Sequence, residues 1–459
     1  MLETVLQVFV GLSWVYWLAA CWLVRAFFRH PLDESGASFV VLPSAATFTP
    51  PVSVLKPVRG LDHEAWENFE TFCRQDYPNY EIIFGVADED DPVVPVIRRL
   101  ERRFPERKIR LVFARPFGPN RKACLLHDLT VAARHEVLVI SDSDMRVAPD
   151  YLSRVVAPLA DPGVGLVTCA YVGDEALSLP AGLEALHMGV TFLPSVVVAR
   201  RVMAMRFALG ASLTLRRADL ARLGGFAVLV DYLAEDYQIG ARTAASGQTV
   251  HLSDYVMAAA IGETTFHEEW RRELRWMRCN RVSRPLEYPT LLLTFSTPLA
   301  GVLAWVSGFS PAAEQALVVT LVLRWVVGWL VTGYTQDKVS RRWLPWLPVR
   351  DVLSALVWIA AGVGRRVVWR GEEYQLLERG RMRSAAAAAA TTSAAATKSA
   401  AATTSERLLL NALGSGRGTR EGGRDGGPDG AGLAGLDGDA LEGDGEGLGY
   451  PSEPLLPHP

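Results

Sequence analysis

Val137-Leu138-Val139-Ile140-Ser141-Asp142-Ser143-Asp144 is the stretch on which the reading of this chain turns: an apolar run that ends in two carboxylates one residue apart. A strand alternates its side chains, so Asp142 and Asp144 point the same way at the end of a buried strand, where they can share one hard cation with a diphosphate. A lone Asp-x-Asp arises often by chance and then marks only a solvated strand end. Its company carries more weight. Lys56, Asp88, Asp91, Lys122, Asp236 and Arg272-Glu273-Leu274-Arg275-Trp276 each fall at the end of an expected element of the same domain.

Around that stretch, β-branched runs alternate with helical patterns. The runs are Val52 to Leu55, Glu81 to Val86, Ile109 to Phe113, Val137 to Ile140 and Val164 to Thr168. The gaps hold His63 to Arg74, Val93 to Phe104, Arg121 to Arg134 and Pro149 to Leu159, with Asp62, Asn120 and Pro149 as start signals. This alternation predicts right-handed βαβ units and a mostly parallel sheet, whose ligands bind at the carboxyl ends of the strands. Neither Gly-x-Gly-x-x-Gly after the first strand nor Gly-x-x-x-x-Gly-Lys is present, which disfavours a dinucleotide fold and a P-loop. Carboxylates stand where those folds place glycines.

The flanks are apolar. Leu6 to Val24 is almost uncharged and, at about 18 to 20 residues, long enough to cross a bilayer. Arg25, Arg29 and His30 follow it and only Glu3 precedes it, so the positive-inside rule places the following domain in the cytosol. Trp14, Tyr16, Trp17 and Trp22 favour an anchor over a cleaved signal peptide. Pro289 to Phe309 and Ala316 to Tyr334 read as a membrane hairpin, and Val352 to Val363 as a shorter re-entrant or interfacial segment. Arg324 falls inside the hairpin, where pairing with Glu314 or facing the bundle interior would account for it.

Composition excludes other classes. The cysteines, Cys21, Cys73, Cys124, Cys169 and Cys279, form no Cys-x-x-Cys pair, against a zinc site or a disulfide framework. From Ser384 the chain turns to Ala/Thr/Ser repeats and then Gly/Asp/Glu-rich sequence, the composition of a disordered tail. That tail holds roughly 5 basic and 10 acidic residues, which leaves the remainder of the chain, net −3 overall, near +2. So small an excess suits an anionic lipid surface and does not imply nucleic-acid binding. His267-Glu268-Glu269-Trp270 lacks the second histidine of a zinc-protease motif.

From Pro51 to Arg281 the chain resembles the inverting family 2 glycosyltransferases, and within them the ceramide glucosyltransferase branch with its bacterial relatives that glycosylate hopanoids. The matching segments are Val54-Leu55-Lys56-Pro57-Val58-Arg59-Gly60, Asn68 to Phe72 with Gln75-Asp76-Tyr77-Pro78, Asp88-Glu89-Asp90-Asp91-Pro92, Asn120-Arg121-Lys122, Asp142-Ser143-Asp144 with Arg146-Val147, Gly224-Gly225-Phe226, Ala234-Glu235-Asp236-Tyr237 and Arg272-x-x-Arg275-Trp276. The resemblance implies an α/β fold of the GT-A type, with transmembrane helices and a disordered C-terminal tail added. Its divisions are an anchor over 1–30, a cytosolic catalytic domain over 48–284, membrane helices over 285–375 and the tail over 384–459.

The resemblance also implies roles. Lys56, Lys122, Asp88, Asp91 and Asp142 would bind a UDP-sugar, Asp88 and Asp91 at its uracil and ribose end; a cap on the helix starting near Pro92 is the plainer account of that acid run. Asp142 and Asp144 would carry Mg2+ or Mn2+ on the diphosphate. Animal ceramide glucosyltransferases tend to have glycine at the second acid, so the full motif is similar to the bacterial branch, as on a bacterial inner membrane. Asp236 would be the general base, with an acid at a helix start as the plainer account. Arg272 and Arg275, on one helical face, would neutralise the leaving diphosphate, and Trp276 would pack beside acceptor or sugar. Arg271, Arg278, Arg281 and Arg284 read as a cationic face at the membrane surface. Leu183 to Phe207 reads as a helix or helix pair in the interface, where a lipid acceptor could slide in, or as an amphipathic core helix; Leu193-Pro194 replaces the His-Pro of many animal relatives, against ceramide itself. The expected activity is transfer of a single sugar, from UDP-glucose or UDP-N-acetylglucosamine, to a ceramide or hopanoid-type hydroxyl. The alternatives are a processive polysaccharide synthase and an inactive membrane scaffold.

Overall fold

The computed structural model describes residues 1–29 and 48–385. The expected low-complexity tail lies outside them from residue 386 onward. Eight strands form the main sheet: β1 Val52–Pro57, β2 Tyr80–Val86, β3 Lys108–Phe113, β4 Val137–Ser141, β5 Met145–Arg146, β6 Val164–Ala176, β7 Ser212–Arg216 and β8 Thr249–Gly262. Their order is β3-β2-β1-β4-β7-β6-β8-β5. The half β3-β2-β1-β4 is parallel, as the alternation of strands and helices predicts. Beyond it β7 runs antiparallel to both β4 and β6, β8 parallel to β6, and β5 antiparallel to β8. The whole is a mixed sheet with flanking helices.

Between β1 and β4 the strand order reverses, because β2 and β3 continue on one side of β1 while β4 lies on the other. Open α/β sheets leave a crevice at such a point, outside the carboxyl ends of the strands. Here those ends are Lys56-Pro57 and Ser141-Asp142. Strands β1, β2 and β4 are buried along their whole length, as continuous apolar runs covered on both faces require. Alternation then supplies two cores. Val54, Ile82 and Val139 belong to one, and Leu55, Ile83, Leu138 and Ile140 to the other.

The expected helices form as Ala65–Cys73, Val94–Arg103, Arg121–Ala132 and Tyr151–Val156. Asn120 caps the third, its Oδ1 accepting from the Ala123 amide at 2.9 Å. Asp62 caps nothing: Glu64, left-handed at φ 47°, precedes the first helix, and Asp62 instead accepts from the Ser143 hydroxyl.

Among the described residues four helical stretches are long and apolar enough to cross a membrane: Leu2–Phe28, Leu179–Met203, Pro311–Tyr334 and Lys338–Ala361. Leu179–Met203, which contains a π-helical turn at Met188–Phe192, is mostly buried inside the protein, so a core helix describes it better than an interfacial one. Two membrane expectations change. Helix Leu347–Ala361 is continued backwards by Lys338–Trp343 to a full crossing length, so shortness no longer argues for a re-entrant end. The bend lies earlier, where Tyr288–Thr294 and Ser296–Val306 meet at 74°. Arg324 pairs with Asp351 and not with Glu314: Nε and Nη2 reach Oδ2 and Oδ1 at 3.0 and 2.7 Å, over the Trp17 ring at 3.6 Å. Both charges are buried, which membrane depth tolerates only for paired groups.

Residues 366–384, expected as membrane segment and the start of the tail, form a three-stranded antiparallel sheet of β9 Arg366–Trp369, β10 Glu372–Leu376 and β11 Met382–Ser384. It packs on the catalytic half of the chain: the Leu233 amide donates to Gly380 O and the Met382 amide to Asp231 O.

Candidate functional site

The Asp-x-Asp is built from below by Lys56. This lysine is fully buried at the end of β1, lies 3.5 Å from the Phe72 ring centroid, and donates from Nζ to the Asp142 carbonyl at 2.8 Å. Burial pulls its pKa down to about 7 although Asp144, Asp142 and Asp62 oppose that. The expectation that Lys56 binds a donor is therefore corrected. Its ammonium holds the backbone of the acid motif and points into the aromatic layer.

Lys122 stands inside the cleft. From the first turn of the helix capped by Asn120 it reaches Asp142 Oδ1 at 2.5 Å and Glu235 Oε1 at 3.0 Å. Burial works against its charge, but Asp142, Glu235 and Asp236 together hold it well above the ordinary lysine value. Asn120 also donates to Glu235 Oε2 at 2.9 Å; burial works to raise the Glu235 pKa, but the Lys122 charge and then this hydrogen bond hold it below its ordinary value.

Asp236 sits next to that pair, in the first turn of helix Glu235–Ala245, its Oδ1 accepting from the Tyr237 amide at 2.7 Å. Burial and the Glu235 charge raise its pKa to about 6, against the pull of Lys122. Gly210 faces it: a Cβ there would lie 2.9 Å from Asp236 Oδ2 and 3.4 Å from Lys122 Nζ, so the missing side chain keeps this side of the carboxylate clear. Asp144 is pushed up to about 7 by burial, then by Asp142 and Asp62. Its Oδ1 is buried with no hydrogen-bond partner among the described residues. Tyr171 of β6 lies within electrostatic reach of Asp236, Asp142 and Asp144, and its ring centroid is 5.3 Å from that of Phe192 on the π-helical turn.

At the other rim, Asp91 accepts from the Gly60 amide at 2.9 Å and from the Val93 amide at 3.0 Å. Both of its oxygens are engaged, and the Gly60 contact joins the loops after β1 and β2; the expected helix cap does not form, since Val93 precedes helix Val94–Arg103 with no side-chain cap. Asp88 remains exposed, and its side chain accepts from the Asp90 amide at 3.0 Å. From Gly60 the rim continues to Asp62 and, through the Ser143 hydroxyl, to the acid motif itself.

Arg272, Arg275 and Trp276 lie on helix Phe266–Ser283, which opens with a full capping box between Thr265 and Glu268. The two arginines differ. Arg272 is engaged by Glu184 Oε1 at 2.7 Å and Thr264 Oγ1 at 3.2 Å. Arg275 has no carboxylate within ion-pair distance among the described residues; it lies between the Trp276 and Trp369 rings, 5.8 Å from each centroid. Burial lowers its pKa to about 10, and it still carries its charge at neutral pH. Trp276 is partly buried against the core of the sheet. Arg278 and Arg281, expected as part of a cationic face at the membrane surface, donate to the carbonyls of Arg366, Gly362 and Gly364 and so tie down the segment that leads into β9.

Charge pattern in the sequence did not single out Asp62, Glu235 as the partner of Lys122, or Gly210. Glu235 beside Asp236 was visible as a doublet, but a doublet does not say which acid is buried. Nothing around Leu209-Gly210-Ala211 carries a signal.

The chain is 24% identical over 349 residues to ceramide glucosyltransferase 1 of Caenorhabditis elegans, covering 73% of this chain and 74% of that one. It is 22% identical over 428 residues to the ceramide glucosyltransferase of Komagataella phaffii, covering 71% and 82%. Among solved structures, a mannosyltransferase from Pyrobaculum calidifontis in complex with GDP-Man and Mn2+ aligns over 78% of this chain and 99% of its own, with a TM-score of 0.48 and 20% identity. The family model of glycosyl transferase family 21 matches residues 6–382, which takes in most of the first apolar helix, the sheet with its acid cleft, the arginine helix and most of the small C-terminal sheet. The chain is a glycosyltransferase and belongs to glycosyl transferase family 21.

Proposed function

We propose that this chain transfers one hexose, with inversion, from a UDP-sugar to the hydroxyl of a ceramide-type membrane lipid on the cytosolic side of the membrane. One observation carries the reading: Lys122 ties Asp142 to Glu235 in a single cleft, with Asp236 on the next residue and Gly210 leaving room beside it. The names of the curated relatives favour ceramide over a hopanoid, although Leu193 stands where many animal relatives have histidine.

Asp142 and Asp144 would hold Mg2+ or Mn2+, since both offer hard oxygens and the Asp144 Oδ1 lacks a partner. The ion, when bound, neutralises charge on the diphosphate. Arg275 supplies a second positive charge to the departing UDP, its guanidinium having no carboxylate within ion-pair distance among the described residues. Asp236 takes the proton from the lipid hydroxyl as that oxygen attacks the anomeric carbon. The new carbon–oxygen bond forms on the face opposite the one from which UDP leaves with the bonding electrons. Asp88, exposed at the rim, is left for the nucleoside, while Asp91 shapes the loop beneath it.

The test is a product assay on the full chain in lipid nanodiscs, with UDP-glucose or UDP-N-acetylglucosamine, Mn2+ and ceramide. A monoglycosylated lipid in the mass spectrum is expected. Polymer would favour the processive synthase, glycosylation of a hopanoid in place of ceramide would move the acceptor, and no transfer to any lipid would remove the proposal.

Rate against pH adds a prediction. Asp236 works ionised, and its pKa is raised to about 6. Turnover is therefore expected to be level above about pH 7 and to fall about tenfold per unit below pH 6. Asp144, up to about 7, has to lose its proton to take an ion, so metal affinity should weaken from a higher pH than turnover does at saturating ion. Ion titrations and pH–rate profiles measured separately distinguish the two carboxylates.

A further inference from the structure

The Trp369-Arg370-Gly371 corner of the C-terminal sheet spans the cleft. Arg370 and Gly371 form the two-residue connection between β9 and β10, with Trp369 paired to Glu372 and both turn residues at positive φ, 50° and 84°. That is the geometry of the tight hairpin turn whose backbone twist matches its strands. On one side Trp369 lies against Arg275 of the arginine helix. On the other, Arg370 Nη1 lies 3.5 Å from Asp62 Oδ1 and donates to the Arg59 carbonyl at 3.4 Å. Asp62 is the residue that the Ser143 hydroxyl holds, inside the Asp-x-Asp. The corner thus joins the two sides of the site, although it comes from far along the chain. Glu372 fixes it from behind, in an ion pair with Arg121 one residue from Lys122.

A left-handed arginine is uncommon, and this turn would accept asparagine or glycine with less strain. The guanidinium is about half exposed and, besides the bond to the Arg59 carbonyl, is held by one long ion pair, so it is reachable and loosely engaged. Asp62 pairs with it and Asp144 lies within its electrostatic reach, and a diphosphate brings further negative charge into the same space. Planar guanidinium forks match phosphate oxygens in a way a lone ammonium does not.

Resting on the UDP-sugar reading above, we infer that Arg370 is a donor-binding residue: its guanidinium contacts the diphosphate of the sugar nucleotide, and the C-terminal sheet is the wall that delivers it. The mechanism then has cations on two sides of the diphosphate, Arg275 from the arginine helix and Arg370 from the hairpin.

Arg370→Asn tests this cleanly, because asparagine before Gly371 favours the same turn while the guanidinium is lost. Calorimetry on the full chain in nanodiscs with Mn2+ compares UDP with uridine. The expected result is UDP affinity about tenfold weaker with uridine affinity unchanged, and partial recovery in Arg370→Lys. Equal UDP affinity in Arg370→Asn and the unaltered chain would overturn the inference while leaving the donor reading intact, and so would equal losses for UDP and uridine. An unaltered chain that binds no UDP removes the donor reading and this inference together.

Discussion

Asp236→Asn is expected to leave UDP binding in place while lowering kcat about 10²–10⁴-fold, the range that general-base catalysis supplies. In barrier terms this is about 2.7–5.5 kcal/mol at 1.36 kcal/mol per decade. Three features separate the two effects. Asparagine keeps the volume beside Gly210, where a Cβ would already lie 2.9 Å from the Asp236 Oδ2. It also keeps an oxygen to accept from the Tyr237 amide, so the start of helix Glu235–Ala245 is undisturbed. Lastly, it removes one negative charge from a cleft that already holds Glu235 and Asp142, so anion binding should hold or tighten. Calorimetry with UDP and single-turnover transfer to lipid read the two quantities independently. Retained turnover would move the base elsewhere. Lost UDP binding would make Asp236 a structural residue of the cleft.

The parallel half of the sheet was legible because three of its strands, β1, β2 and β4, are short, apolar and covered on both faces, so that burial and pattern agree there, while the half-buried edge strand β3 still shows a β-branched run. The acid motif was legible for the same reason: the run that ends at Asp142 is the strand itself. Lys56 was misread because sequence shows a lysine at a strand end and not the Phe72 face under it. Asp62 and Arg370 could not be paired in advance, since they lie in separate turns far apart in the chain and meet only when the C-terminal sheet folds back. That sheet was hidden by its own composition. Glu372-Glu373 falls at the end of the expected membrane helices and Arg379 to Arg383 between them and the tail, with no strand signal, whereas strand pairing and the bonds of Arg278 and Arg281 hold the sheet in place. The arginine pair was read as equivalent for want of Glu184, which engages only Arg272.

Arg350 is the residue whose loss should cost the fold most. It belongs to helix Leu347–Ala361 and is fully buried, with Nη1 at 3.0 Å from Glu269 Oε1 and 2.6 Å from Glu273 Oε1, and Nη2 at 2.7 Å from Glu273 Oε2. Both acids lie on the helix that carries Arg272, Arg275 and Trp276, so one guanidinium couples a candidate membrane span to that helix. Arg350→Met leaves two buried carboxylates facing an apolar side chain, and removing one partner of a buried ion pair typically costs about 3–5 kcal/mol. Thermal unfolding of the full chain in detergent should show that loss, and Arg350→Lys should recover only part of it, because an ammonium cannot reproduce the fork. Replacing all three charges together, as Arg350→Met with Glu269→Leu and Glu273→Leu, should restore stability, since apolar substitutes for a whole buried ionic group are often neutral or better. The same cluster predicts an opposite result for one acid. Among the described residues Glu184, Glu269 and Glu273 form ion pairs with only two guanidiniums, those of Arg272 and Arg350, so one carboxylate lacks an ion-pair partner of its own, and burial together with Glu273 pushes Glu269 up to about 8. A carboxyl that binds its proton more tightly folded than unfolded makes stability fall as pH rises from its ordinary range to about 8, and level off beyond. Glu269→Gln keeps an oxygen for Arg350 without the charge, so it should be neutral to stabilising above pH 8 and flatten that dependence. A loss of stability in Glu269→Gln as large as in Arg350→Met would show that Glu269 is ionised and needed as the partner, and would place the missing proton on another member of the cluster.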